Sequence, residues 1–134
     1  MRGTDYERLL ARRLSRLGFA VVRAPSSGSG TKMDRPDIIA GRRGLVIAIE
    51  VKTTSKRKIY VREGGVEQLI RFSEAFGATP YIAVKFKGSG RDWLLIHPQY
   101  LRREGGTYSI SLEEASRIGI APESLILRKL GEYS

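Results

Sequence analysis

Apolar residues Tyr6, Leu9, Leu10, Leu14 and Leu17 recur at helical spacing and predict a helix over residues 4–17. Thr4 stands at the expected N-cap, Glu7 three residues on completes a capping box, and Gly18 stops the run. Phe19 to Val22 reads as a short strand, residues 25–34 (PSSGSGTKMD) as a polar loop, and Pro36 to Ala40 as a second strand. Gly41-Arg42-Arg43-Gly44 turns the chain into a third strand, Leu45 to Lys52, so these two strands form a hairpin. Positions 45–49 are apolar without a break, as expected of a strand buried on both faces. Residues 53–58 read as a basic loop. A second helix over 64–76 carries Val66, Leu69, Ile70 and Phe76 on one face and stops at Gly77. Residues 80–86 and 93–96 are two further strands, joined across Lys87-Gly88-Ser89-Gly90. Weaker signals follow: a strand near 107–110 and helical pieces near 111–117 and 122–130.

Helix, three strands, helix, two strands and a small tail predict an α/β fold with a central mixed sheet of about five strands flanked by helices. The 134 residues are expected to form a single domain, with a core over about 3–100 and a small C-terminal extension over 101–134. No internal repeat or low-complexity linker interrupts them.

Composition removes several chemistries. There is no cysteine, which excludes disulfides, thiolate metal sites and a cysteine nucleophile. The only histidine is His97, which excludes a histidine-cluster metal site. No apolar run approaches a bilayer span, and Asp5, Glu7 and Arg8 interrupt any N-terminal signal segment, so the expected location is the cytoplasm.

Charge is distributed unevenly. Residues 1–62 carry 15 basic and 5 acidic side chains, whereas residues 63–134 carry 9 of each, so the whole net charge of +10 lies in the first half. Arg outnumbers Lys 17 to 7, which suits bidentate phosphate contacts. A one-sided basic excess is the electrostatic footprint of a nucleic-acid binder. A membrane surface fits less well, because no basic amphipathic helix stands free of the core.

Three acids and a lysine then stand out. Residues i and i+2 of a strand share a face, so Glu50 and Lys52 point one way and Val51 the other. The hairpin folds Asp37 back toward the end of the third strand, where Asp37 and Glu50 can share one hard cation. Two carboxylates and a main-chain carbonyl, that of Val51, leave coordination positions for water and a phosphate oxygen. A cation there polarises the phosphate and activates water, and Lys52 stabilises developing negative charge. Glu7 lies roughly 80–90° around its helix from the centre of the apolar stripe, at the edge of the core, where it is a further candidate ligand. The alternative reading of the set is a cross-strand salt bridge, worth little at a surface.

Pro36-Asp37 followed thirteen residues later by Glu50-Val51-Lys52 resembles the PD-(D/E)XK nuclease motif. With Glu7-Arg8, the run Gly18 to Pro25, Ser27-Gly28, Tyr60-Val61-Arg62, Gln68-Leu69-Ile70, Phe72, Phe76-Gly77 and Ala83-Val84-Lys85, the chain resembles the archaeal Holliday-junction resolvases over about residues 3–100. That resemblance implies a restriction-endonuclease-like fold and a dimeric endonuclease dependent on Mg²⁺, with Mn²⁺ able to substitute, that nicks opposing strands of four-way DNA junctions. It implies Glu7, Asp37 and Glu50 as metal ligands and Lys52 as the catalytic lysine. It also implies a catalytic serine in the loop after the first strand, matched to Ser27, beside Ser26, and DNA contacts from Arg8 and Arg23.

Other residues are read without the resemblance. Lys32 lies in a polar loop leading to Asp37, and Lys56-Arg57-Lys58 reads as a phosphate clamp. Phe72 points away from the apolar face of the second helix, which suggests a second contact surface and a two-fold dimer; Phe76 is placed in the interface with it. Gly28-Ser29-Gly30-Thr31-Lys32 lacks the spacing of a phosphate-binding loop, so no nucleotide cofactor is expected. His97 is expected to be a strand-end residue, and Trp93 and Tyr100 to pack. The rivals to a junction nuclease are another nuclease of the same superfamily acting on duplex or branched DNA, and a non-catalytic junction-binding protein.

Overall fold

The computed structural model describes residues 2–24 and 35–127. Helix α1 (Gly3–Arg16) leads to strands β1 (Ala20–Arg23), β2 (Ile38–Arg42), β3 (Leu45–Thr54) and β4 (Lys58–Arg62). Helix α2 (Glu63–Phe76) then precedes β5 (Thr79–Phe86) and β6 (Leu94–Ile96). A 3-10 turn (Pro98–Tyr100), β7 (Arg102–Glu104), β8 (Thr107–Ser111) and α3 (Leu112–Ile118) follow.

The five expected strands form one sheet in the order β1-β2-β3-β5-β6. It is mixed: β3 and β5 run parallel and the other neighbours antiparallel. The β2–β3 hairpin turns on Arg43 and Gly44, whose φ angles of 48° and 83° match the twist-compatible two-residue turn. Strand β3 lies in the middle of the sheet, and Ile47, Ala48 and Ile49 are fully buried. Alternation sends Ile47 and Ile49 to one core, with Leu10 and Leu14 of α1, Tyr81 and Trp93. It sends Ala48 to the other, with Val66 and Leu69 of α2, Ile82 and Val84. Truncating Ile47 or Ile49 to Ala is expected to cost about 2–5 kcal/mol.

A second sheet, β4-β8-β7, was not expected. Lys58 begins a strand rather than ending a basic loop. Ile59 and Val61 are buried beside Ile110, Leu101, Leu112 and Ala115, so residues from 101 onward fill the same core as α2. The start of α1 also differs. The N-cap is Arg2, whose backbone N–H donates to Asp5 Oδ2 at 3.1 Å, so the pairing of Thr4 with Glu7 does not form the cap. The α1 stripe narrows to Leu10, Ala11 and Leu14, and Leu9 is exposed.

On α2 the buried face is Val66, Leu69 and Ser73. Phe76 is 55% exposed rather than part of that face, and Phe72 is half-buried, packed partly against the core. The two rings stack at 5.2 Å between centroids. Gly77, in the left-handed conformation at φ 82°, ends the helix and donates to Ser73 O. Arg13 clamps three parts of the chain together: its guanidinium donates to both carboxylate oxygens of Glu123 and to Asp92, each at 2.7 Å. Among the described residues, no helix is long and apolar enough to cross a membrane.

Candidate active site

Asp37 sits immediately before β2. Because Ile38 pairs with Ile49, Asp37 and Glu50 come next in the antiparallel register and share one face. Beyond Ile49, strand β2 no longer covers the edge of β3. The Asp37 carboxylate takes over part of that role, and its Oδ2 accepts from Val51 N–H at 2.8 Å. In extended backbone the N–H and C=O of one residue face the same edge, so the Val51 carbonyl also lies toward Asp37.

Glu50 is the electrostatic centre of the site. Burial, first, and then the negative charge of Asp37 push its carboxyl up to about 8. A hydrogen bond to Asp37 and the charge of Glu7 act in the same direction, and Lys52 opposes them. Lys52 Nζ lies 3.9 Å from Glu50 Oε2, on the same face, as the alternation of β3 requires. Glu7 is also raised, by burial and then by Asp37, with Arg23 opposing. Its Oε1 lies 3.7 Å from Arg23 Nη2, and Arg23 in turn donates to Thr4 O at 3.0 Å.

The structure thus brings Asp37, Glu50 and Lys52 together and sets Glu7 beside them, directed at Arg23. Among the described residues, no three Asp, Glu, His or Cys side chains are grouped closely enough to hold an ion as they stand. The donor set nevertheless fits a hard cation. Two half-buried carboxyl groups facing each other where β2 stops covering β3, with that of Glu50 raised by burial and by Asp37, are the arrangement a divalent ion relieves by taking the place of a proton.

The predicted DNA contacts are dispersed. Arg8 pairs with Asp5 at 2.9 Å on the exposed side of α1. Arg57 pairs with Glu113, and Lys58 with Glu104 at 3.0 Å. Lys56 is exposed, and its backbone N–H donates to Thr54 Oγ1. These pairs are solvent-exposed, and phosphate can displace them at little cost. Ser26, Ser27 and Lys32 lie outside the described residues. His97 follows β6 and its Nδ1 accepts from Gln99 N–H, while Trp93 is buried. Sequence reasoning missed the Val51 N–H as the anchor of Asp37; the short interval between Pro36 and the register of the hairpin was the signal that carried it.

A sequence model of the archaeal Holliday junction resolvase family, Hjc, matches residues 1–129. The crossover junction endodeoxyribonuclease Hjc of Methanocaldococcus jannaschii is 43% identical over 109 residues, 81% of this chain and 75% of that protein. The protein of the same name from Sulfurisphaera tokodaii is 39% identical over 127 residues, covering 93% of this chain and 85% of its own. The crystal structure of Archaeoglobus fulgidus Hjc, a Holliday junction resolvase, superposes with a TM-score of 0.78 at 31% identity, covering 89% of this chain and 98% of that one. The α/β sheet order, the carboxylate pair where β2 stops covering β3 and these matches agree: the chain belongs to the archaeal Holliday junction resolvase (Hjc) family.

Proposed function

We propose that this protein is a crossover junction endodeoxyribonuclease that cuts four-way DNA junctions by paired nicks in opposing strands. The observation that carries the reading is the half-buried Asp37–Glu50 pair with Lys52 on the same face. Two relatives are named crossover junction endodeoxyribonuclease.

Asp37, Glu50 and the Val51 carbonyl would hold Mg²⁺, with Mn²⁺ as a substitute, and Glu7 would be a further ligand. When bound, the cation supplies Lewis-acid polarisation of the scissile phosphate and an acidified water. Lys52 orients the attacking water and stabilises the charge that develops on the phosphate oxygens. Asp37 is held by Val51 N–H, so its carboxylate is oriented before substrate arrives. Ser27 completes the catalytic set. Arg8, Arg23, Lys32, Lys56, Arg57 and Lys58 supply the phosphate contacts that fix the strand over the carboxylates.

Two copies pair through the stacked Phe72 and Phe76, which present an aromatic surface beside the core. Such a homodimer offers two active sites to a substrate with near two-fold symmetry. Acting on DNA of this kind, the enzyme works in the cytoplasm without a nucleotide cofactor.

The test is cleavage of an immobile four-way junction beside a duplex of the same arm sequence, in Mg²⁺. Preference for the junction supports the reading. Equal cleavage of both substrates makes the protein a general repair nuclease. Tight junction binding without product leaves a binding module.

A further inference from the structure

The unexpected second sheet has an outer face that shares only Lys58 with the phosphate contacts proposed above. Its inner face packs Ile59, Val61 and Ile110 into the core. On β4 the outward residues are therefore Lys58, Tyr60 and Arg62. Cross-strand pairing puts Ser109 opposite Tyr60, and Arg102 opposite Ser109, so Tyr60 and Arg102 end one continuous row. Tyr60 is 56% exposed, as strand alternation between the buried Ile59 and Val61 requires.

The ring is nonetheless held in place. Ser109, almost fully buried, donates to Glu104 Oε2 at 2.9 Å. The other oxygen, Glu104 Oε1, accepts from Lys58 Nζ at 3.0 Å. Lys58 Nζ in turn lies 5.3 Å from the centroid of the Tyr60 ring. A chain of four residues thus positions an exposed aromatic. It also pairs Lys58 with Glu104, which lies in the neighbouring Arg62–Thr107–Glu104 row. Outward stands a tyrosine flanked by Lys58, Arg62 and Arg102; Lys58 is paired with Glu104 and Arg102 with Glu114 at 3.6 Å, in solvent-exposed pairs that phosphate can displace at little cost. An aromatic platform set among cations fits an unstacked base and its adjoining phosphates.

We infer that the outer face of the β4-β8-β7 sheet is a second DNA-contacting surface, on which Tyr60 stacks against a base left unstacked at the branch point of the junction. Lys58, Arg62 and Arg102 hold the neighbouring phosphates. The inference rests on the junction reading and deepens it. A continuous duplex keeps its bases stacked and offers the ring nothing, whereas a branch point interrupts stacking. Tyr60 therefore contributes to the choice of junction over duplex.

The experiment is fluorescence anisotropy of a labelled four-way junction and a labelled duplex with the full chain in EDTA, which prevents cleavage. Tyr60→Ala is expected to bind the junction about tenfold more weakly and the duplex within about twofold of wild type, the size of one lost base–aromatic stack. Tyr60→Phe keeps the ring and is expected to restore junction affinity. Sedimentation of Tyr60→Ala is expected to match wild type. The stacking role is overturned if Tyr60→Ala keeps the wild-type preference, if Tyr60→Phe fails to restore it, or if both substrates weaken equally. A changed sedimentation profile would make the face a protein interface instead and overturn it as well. A wild-type chain with no junction preference contradicts the junction reading itself, and this inference with it.

Discussion

Asp37 Oδ2 accepts the main-chain N–H of Val51 at 2.8 Å, a carboxylate bonded to the strand that carries the other half of its own site. The bond fixes where Asp37 points and leaves its charge beside Glu50. Replacing Asp37 by Ala removes both effects. Cleavage is expected to vanish while junction binding persists, because the lost carboxylate also repelled phosphate. The unpaired Val51 N–H costs about 1–3 kcal/mol of stability. Gel-shift and cleavage assays on the same preparation check this; loss of binding together with activity would make Asp37 a structural residue.

Glu50 gives the pH dependence its sign. Its folded carboxyl titrates near 8, well above its unfolded value, so the folded state binds the extra proton across that interval. Stability in the absence of metal is therefore full at acidic pH and falls as pH rises toward about 8. Glu7, raised in the same direction, adds to the slope. Urea unfolding at pH 5 and pH 8.5 is expected to show the decline, and added Mg²⁺ to restore stability at the higher pH only. The same competition with protons makes metal affinity climb over this range. Glu50→Gln should flatten the profile and abolish cleavage. A metal-free protein equally stable at both pH values would count against the buried pair.

Arg13 has a purely mechanical assignment. It ties α1 to Asp92 before β6 and to Glu123 near the end of the described chain, and neither partner is one of the site carboxylates. The acidic partners are about half exposed, so Arg13→Ala is expected to cost only about 1 kcal/mol and a few degrees in Tm. The rate of junction cleavage at moderate temperature should be unchanged. A large loss of activity without loss of stability would show that the clamp also shapes the site.

The Phe72–Phe76 stack predicts the assembly. Phe72→Ala should shift sedimentation toward the monomer, and with Phe76→Ala added the shift should be complete at micromolar concentration. Phe76 is exposed, so its removal leaves the monomer fold intact. An unchanged profile for the double variant would place the dimer contact elsewhere.

Much of this architecture was legible in the sequence because local periodicity carried it. The unbroken apolar run at 45–49 marks the central strand, and the Asp37 to Glu50 interval across a tight turn sets the two carboxylates opposite each other. Strand β4 was not legible. It has only Ile59 and Val61 to bury, follows a basic stretch, and pairs with β8 about fifty residues later in sequence, a contact that no local pattern encodes. The cap of α1 was missed for a related reason. Asp5 reaches back to the Arg2 backbone, and arginine is not a residue that announces an N-cap. Phe76 fell at the margin of the helical face, where spacing alone does not separate core from surface. The carboxylate pair followed from register, whereas the direction of Glu7, turned to Arg23, depends on side-chain competition invisible in the sequence.

The most direct measurement maps the products of the wild-type chain and of Asp37→Ala on an immobile four-way junction, in Mg²⁺ and in EDTA. The account predicts paired nicks in opposing strands for the wild type with Mg²⁺, and no nicks in EDTA or with Asp37→Ala. Nicks that survive EDTA, or that Asp37→Ala still makes, would contradict a metal-dependent active site at Asp37, Glu50 and Lys52.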